Sequence, residues 1–293
     1  MTYEKIPEIV DFIHAKEMDK SKHTITSYKE SINKFLDFTR FSSLKEIENC
    51  ESKVIRDFQK HLQESGLQNS SINTAMRPLK VMMYWMLSEE NQYAKRNPFL
   101  GIKALSCVKK IKPYMTEEEV LKLLSSDIGF ENKAIFALYI TTGLRRNELV
   151  TLKLEDFDGS RIKVLGKENR WDYIPVMPEV SDMLYMYIDW RNRKYGNAQE
   201  ALFLSKYNKQ YSDGAMWYKF KTSLAYAGFT EERIKELHTH SMRHTFCANV
   251  GEFTDIYTLQ KAMRHASMSS TQIYAHMKDR KLDQAILSQK PIF

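Results

Sequence analysis

The sequence predicts a two-domain protein, mainly α-helical with one small β-sheet. Three observations carry this. Apolar residues recur at helical spacing through the first hundred positions; a single pair of alternating segments lies at 161–165 and 171–176; and a punctuated, non-periodic stretch near residues 97–113 separates two lengths that can each bury a core.

Ile6, Ile9, Val10 and Ile13 place a first helix over residues 3–17, and Thr24 is the expected N-cap of a second, with Ile25, Tyr28, Ile32, Phe35 and Leu36 on its apolar face. Val54, Ile55, Phe58 and Leu62 give a third, ending at Ser65 and Gly66. A fourth carries Ile72, Met76, Leu79, Met83, Met86 and Leu87, with Pro78 kinking it or marking its first turns. The first domain is therefore a four-helix unit, 1–105. Asn97, Pro98, Gly101 and the Lys-bearing stretch 106–113 form the linker, and the second domain occupies 114–293. Thr116 opens it as an N-cap, with Glu119 as the reciprocal capping-box residue. An apolar helix over 135–141 runs into Gly143, and helical spacing continues over 148–154. Asp158-Gly159 makes a turn before two alternating strands, 161–165 and 171–176, joined through Gly166-Lys167-Glu168-Asn169, a hairpin with a lysine at its tip. Helices follow at 183–190, 215–227, 241–253 and 256–263, and the tail 278–293 carries an apolar stripe of Leu282, Ala285, Ile286 and Leu287.

The formal charge is +7. Residues 1–110 hold 18 Lys and Arg against 14 Asp and Glu, and the rest hold 26 against 23, so both halves are basic. On charge alone a solvated basic face and a nucleic-acid surface are equally good accounts. Three scattered cysteines (Cys50, Cys107, Cys247) without CxxC spacing argue against a disulfide framework or a cysteine-rich metal site and fit a reducing cytoplasm. The N-terminus lacks an apolar core of signal-peptide length, and no run approaches the roughly 18 apolar residues of a membrane span.

The chemistry concentrates in two stretches. Between His240 and Tyr274 lie His240-Ser-Met-Arg243-His244, Met263-Arg264-His265 and Thr271-Gln-Ile-Tyr274-Ala-His276; upstream is Thr142-Gly-Leu-Arg145-Arg146-Asn-Glu148-Leu149. Arginine offers a planar fork that matches two phosphate oxygens and stays cationic. A pair of them suits a phosphodiester that gains charge when a fifth oxygen bonds to phosphorus. Tyrosine can attack covalently in an electropositive pocket, and histidine can move the protons. His240 and His244 also have the i, i+4 spacing of a zinc helix, but Ser241 stands where H-E-x-x-H requires Glu and no third acidic ligand is near, so no metal or cofactor is expected.

Order and gaps of these boxes resemble the tyrosine recombinases, the family of phage integrases, Xer proteins and transposon resolvases. Its boxes read Thr-Gly-Leu-Arg-x-x-Glu-Leu, His-x-x-Arg-His, Leu-Gly-His, and a Tyr nine residues beyond that His. The resemblance implies a core-binding, SAM-like helical domain followed by an α+β catalytic domain, clamped round duplex DNA. Arg145 and Arg243 would hold the scissile phosphate, and Glu148 would be buried support for the cations. Lys167 would protonate the leaving 5′-oxygen, His240 would act as acid or base, His265 would hydrogen-bond a phosphate oxygen, and Tyr274 would form the 3′-phosphotyrosyl link. Arg146, His238, His244 and His276 are assigned structural or DNA-proximal roles. Two positions depart from the pattern: Glu168 replaces the second Gly of Gly-Lys-Gly, and Arg264 replaces the Gly before His265, where positive φ is easy for Gly and costly for Arg. The implied partners are a specific duplex site and three further protomers, with the tail helix exchanged between neighbours or packed on its own domain. No arm-binding domain is expected ahead of the helices. Two alternatives share the residues: DNA relaxation of the type IB topoisomerase kind, and a catalytically silent DNA-binding module.

Overall fold

The computed structural model describes residues 2–107, 112–166 and 171–264. The chain divides into two compact units between Lys109 and Lys110.

Among its described residues the first unit contains a 3-10 turn at Tyr3–Lys5 and five helices: α1 (Pro7–Glu17), α2 (Lys22–Thr39), α3 (Leu44–Asn49), α4 (Ser52–Glu64) and α5 (Asn69–Met86). Four of these are the helices that the apolar spacing predicts. The additional one, α3, is six residues long and rests on a capping box, in which Ser43 Oγ accepts from the Glu46 N–H while the Glu46 carboxylate accepts from the Ser43 N–H. Helix α2 begins earlier than expected: Ser21, not Thr24, is its N-cap, and Ser21 Oγ accepts from the Thr24 N–H. The first turn of α2 is polar, so apolar spacing does not reveal it. Pro78 lies buried in the middle of α5, not in its first turn, and the helix continues through it. Phe12, Phe35, Phe58, Leu79, Met82 and Met83 form the core, with the Phe35 and Phe58 rings edge-on at 5.2 Å.

The second unit is built around α7 (Phe130–Thr142), whose residues Ala134 to Ile140 are all buried. A helix that is apolar on every side belongs in the middle of a core. Against it lie α6 (Glu117–Ser125), which opens on the predicted Thr116–Glu119 capping box, and, further along the chain, α9 (Pro178–Tyr195) and α12 (Thr239–Phe253). Between α7 and α9 come α8 (Arg146–Thr151), a 3-10 turn at Leu154–Asp156, and an antiparallel pair, β1 (Arg161–Leu165) and β2 (Trp171–Pro175). Their register pairs Ile162 with Ile174 and Leu165 with Trp171. Ile162, Val164 and Ile174 face the core, as the alternation requires. The hairpin tip, residues 167–170, lies outside the described residues.

Among the described residues, helices α10 (Asp213–Tyr226), α11 (Glu231–Glu236) and α13 (Ile256–Ala262) also belong to this unit. The sequence reading lacks α11, which is six residues long with Ile234 as its sole aliphatic side chain. Two cross-links fix the frame beneath α12. The Met115 N–H donates to Thr245 Oγ1 at 2.8 Å, and Arg233 donates to the Glu119 carboxylate and the Tyr114 carbonyl. No helix among the described residues is long and apolar enough to cross a membrane.

Candidate active site

The site is assembled from the turn after α7, the first half of α12 and the end of α13. Helix α7 ends because Gly143 takes a left-handed conformation, φ +59°. Only glycine suits the position for a second reason as well: a Cβ there would lie 2.3 Å from Phe246 Cδ1. Leu144 is then fully buried, and Arg145 becomes the N-cap of α8.

Glu148, one turn on, faces back. Its Oε2 accepts from the Arg145 backbone N–H at 2.8 Å, and its Oε1 accepts from Arg145 Nη1 at 2.7 Å. A third donor, Arg264 Nη2, reaches Oε2 at 2.6 Å. The Glu148 side chain is 13% exposed. Burial alone would raise its pKa; the Arg145 N–H and the charges of Arg264 and Arg145 outweigh that and hold the carboxyl below its usual range. Glu148 is therefore an anion that fixes two guanidinium groups.

Arg243, on α12, is 4% exposed and donates to two backbone carbonyls, Gly143 through Nη1 and Met263 through Nη2. Arg145 Nη2 donates to the next carbonyl along, that of Arg264, at 2.9 Å. The two arginines are thus fastened to consecutive residues at the end of α13. Burial, then the nearby charges of Arg145 and Arg264, lower the Arg243 pKa to about 10, which leaves it cationic at neutral pH.

His240 lies exposed at the start of α12, one turn before Arg243. Partial desolvation and then the charges of Arg146, Arg243 and Arg145, opposed by Asp213, push its pKa below the ordinary imidazole value. At neutral pH it is an uncharged ring able to accept a proton. Beneath the cluster, the Tyr139 hydroxyl is buried without a hydrogen-bond partner among the described residues, and burial pushes its pKa far above the usual phenol range.

Of the residues singled out in the sequence, the structure brings together Arg145, His240, Arg243, Glu148 and Arg264. Arg146 pairs with Asp213 at 2.7 Å, and both charges act on His240, while the His238 N–H donates to Ser241 Oγ at the start of α12. Lys167, His265, Tyr274, His276 and the tail 278–293 lie outside the described residues. Sequence reasoning misses Asp213 and the carbonyls of Gly143, Met263 and Arg264. A carbonyl acceptor leaves no residue signature, and Asp213 lies 67 positions from its partner. Among the described residues no three His, Cys, Asp or Glu side chains gather as metal ligands.

Comparison with known proteins adds to this geometry. Residues 12–90 match the model of the phage integrase N-terminal SAM-like domain, and residues 113–281 match that of the phage integrase family. Tyrosine recombinase XerC of Bacillus pumilus is 28% identical over 295 residues, an alignment that covers 96% of this chain and 95% of the relative. The fold is shared with the Tn1549 transposon integrase solved with transposon right-end DNA (TM-score 0.72, 22% identity, 99% of this chain and 100% of that one). It is shared also with a lambda integrase tetramer on a Holliday junction (TM-score 0.69, 16% identity, 92% and 77%). With more than half its length matched by the family model, and with the arginines of the Thr-Gly-Leu-Arg and His-x-x-Arg-His boxes meeting in one cluster, the chain belongs to the phage integrase family and is a tyrosine recombinase, a site-specific DNA strand transferase.

Proposed function

We propose that this chain cuts and rejoins duplex DNA through a 3′-phosphotyrosyl intermediate, with Tyr274 as nucleophile. The observation that carries this reading is the fastening of Arg145 and Arg243 to the carbonyls of Arg264 and Met263, the two residues directly ahead of His265 in the segment that leads to Tyr274. Arg145 and Arg243 hold the non-bridging oxygens of the scissile phosphate and offset the charge that grows on them. His240, neutral at working pH, takes the phenol proton; His265 donates to a phosphate oxygen; Lys167 protonates the leaving 5′-oxygen. Bond energy is conserved in the exchange, so the reaction uses neither metal nor ATP, as is general in the family.

Residues 1–105 serve as the core-binding domain and 114–293 as the catalytic domain, joined through 106–113. By analogy with DNA-bound relatives, the working assembly is a homotetramer on two specific sites in the cytoplasm, with the tail helix exchanged between protomers. Nothing favours the topoisomerase alternative or the silent module.

The test is a suicide substrate with a nick beside the cleavage position, in EDTA, comparing the wild type with Tyr274→Phe. A covalent protein–DNA adduct in the wild type, absent in the variant, is the expected result. An adduct that persists in Tyr274→Phe assigns the nucleophile elsewhere, and binding without any wild-type adduct points to the silent module.

A further inference from the structure

Arg264 occupies the place where the family pattern has glycine, and the chain meets that position's backbone demand without one: Arg264 has φ +51°, in the left-handed region that side chains rarely adopt. A long, flexible side chain in such a place ordinarily turns to water. This one does the opposite. It is 10% exposed, Nη2 is bound to Glu148, and Nε and Nη1 are buried without partners among the described residues. Strained backbone and unpaired buried donors both oppose folding, so the conformation persists because the contacts to Glu148 and Arg145 outweigh them.

We infer that Arg264 is a positioning residue for cleavage: its side chain locks Glu148, its carbonyl locks Arg145, and together they preset the phosphate-holding arginine. The inference rests on the recombinase reading above. Its physical content is a charge count. Arg145, Arg243 and Arg264 set against Glu148 leave two positive charges in a poorly solvated cluster. A phosphodiester carries one negative charge, and the five-coordinate state carries close to two. Removing the Arg264 cation therefore weakens the hold on the transition state more than the hold on bound DNA, a loss in rate rather than in affinity. Arg264 acts through Glu148, so its effect depends on the Glu148 charge.

The experiment measures single-turnover adduct formation on the nicked substrate and, separately, DNA binding by anisotropy, for the wild type, Arg264→Gly, Arg264→Lys, Glu148→Gln and the double variant Arg264→Gly/Glu148→Gln. Arg264→Gly restores the residue that the backbone prefers while deleting the cation; it is expected to cleave about tenfold more slowly with affinity within about twofold. Arg264→Lys keeps the charge and recovers most of the rate. In the Glu148→Gln background the Arg264→Gly substitution costs much less than tenfold. Thermal melts establish that each variant is folded, and if Arg264→Gly does not fold, Arg264→Gln against Arg264→Lys gives the same comparison. Cleavage by Arg264→Gly at or above the wild-type rate overturns the inference, as does an equal loss in affinity and rate. Absence of adduct from the wild type instead overturns the recombinase reading on which it rests.

Discussion

At the scale of single residues, the site is a contest for one carboxylate. Glu148 stays ionised although buried, because three donors surround it, and its negative charge keeps Arg145 and Arg264 from repelling one another apart. His240 feels the same field with the opposite consequence: the surrounding arginines disfavour its protonated form. The sign of its pH dependence follows. With a pKa below 6.5 the imidazole is neutral at pH 7 and above, and it is protonated, hence useless as a base, only as the pH falls through that lowered value. The second-order rate of adduct formation at limiting DNA is therefore expected to be level from pH 7 to 8 and to fall below pH 6.5, approaching tenfold per unit. His240→Ala should be slow and should lose this acid limb; an acid limb centred above pH 7 would contradict the role. Residues of this kind are readable from the sequence, because Arg145, Glu148, His240 and Arg243 sit in spaced boxes. The carbonyls of Gly143 and Met263 are not, since any residue supplies one, and Arg264 looks from sequence like a defect in the pattern.

At the scale of elements, the site depends on where helices stop. Helix α7 must end at Gly143 for Arg145 to face Glu148 and for the Gly143 carbonyl to receive Arg243. Gly143→Ala puts a Cβ into the Phe246 ring and asks alanine to hold positive φ; the expected destabilisation is about 2–4 kcal/mol, measured by urea unfolding. In the Phe246→Ala background the ring is gone and only backbone strain remains, so the same substitution is expected to cost about 1 kcal/mol. Equal costs in the two backgrounds would mean that the turn relaxes away from Phe246. Elements with strong local signals are legible: the Thr116–Glu119 capping box, the apolar α7 and the alternating hairpin all follow from spacing. Helices α3 and α11 are not, since six residues cannot display a helical period, and α2 is misjudged at its start because its first turn carries no apolar residue.

At the scale of the whole molecule, the basic charge is shared. Each unit has its own core, and residues 1–109 and 110–293 carry excesses of three (17 against 14) and four (27 against 23) positive charges. If one unit held the DNA and the other only catalysed, the salt dependence of binding would belong to the first alone. An even division of charge argues otherwise. Each phosphate neutralised releases condensed counterions, and log K falls against log salt with a slope near −0.9 per contact. The full chain is expected to show a slope of about −6 or steeper by anisotropy titration on its recombination site, with segments 1–105 and 114–293 each showing a shallower one of comparable size. A segment that reproduces the full slope by itself would assign the phosphate contacts to one unit and leave the charge of the other to solubility. Affinity measured this way reports the backbone grip, and sequence choice rides on it as a smaller, salt-insensitive difference between cognate and scrambled sites. Arg264→Gly should leave both the slope and that difference in place, because its cation is buried and spent on Glu148 rather than on DNA.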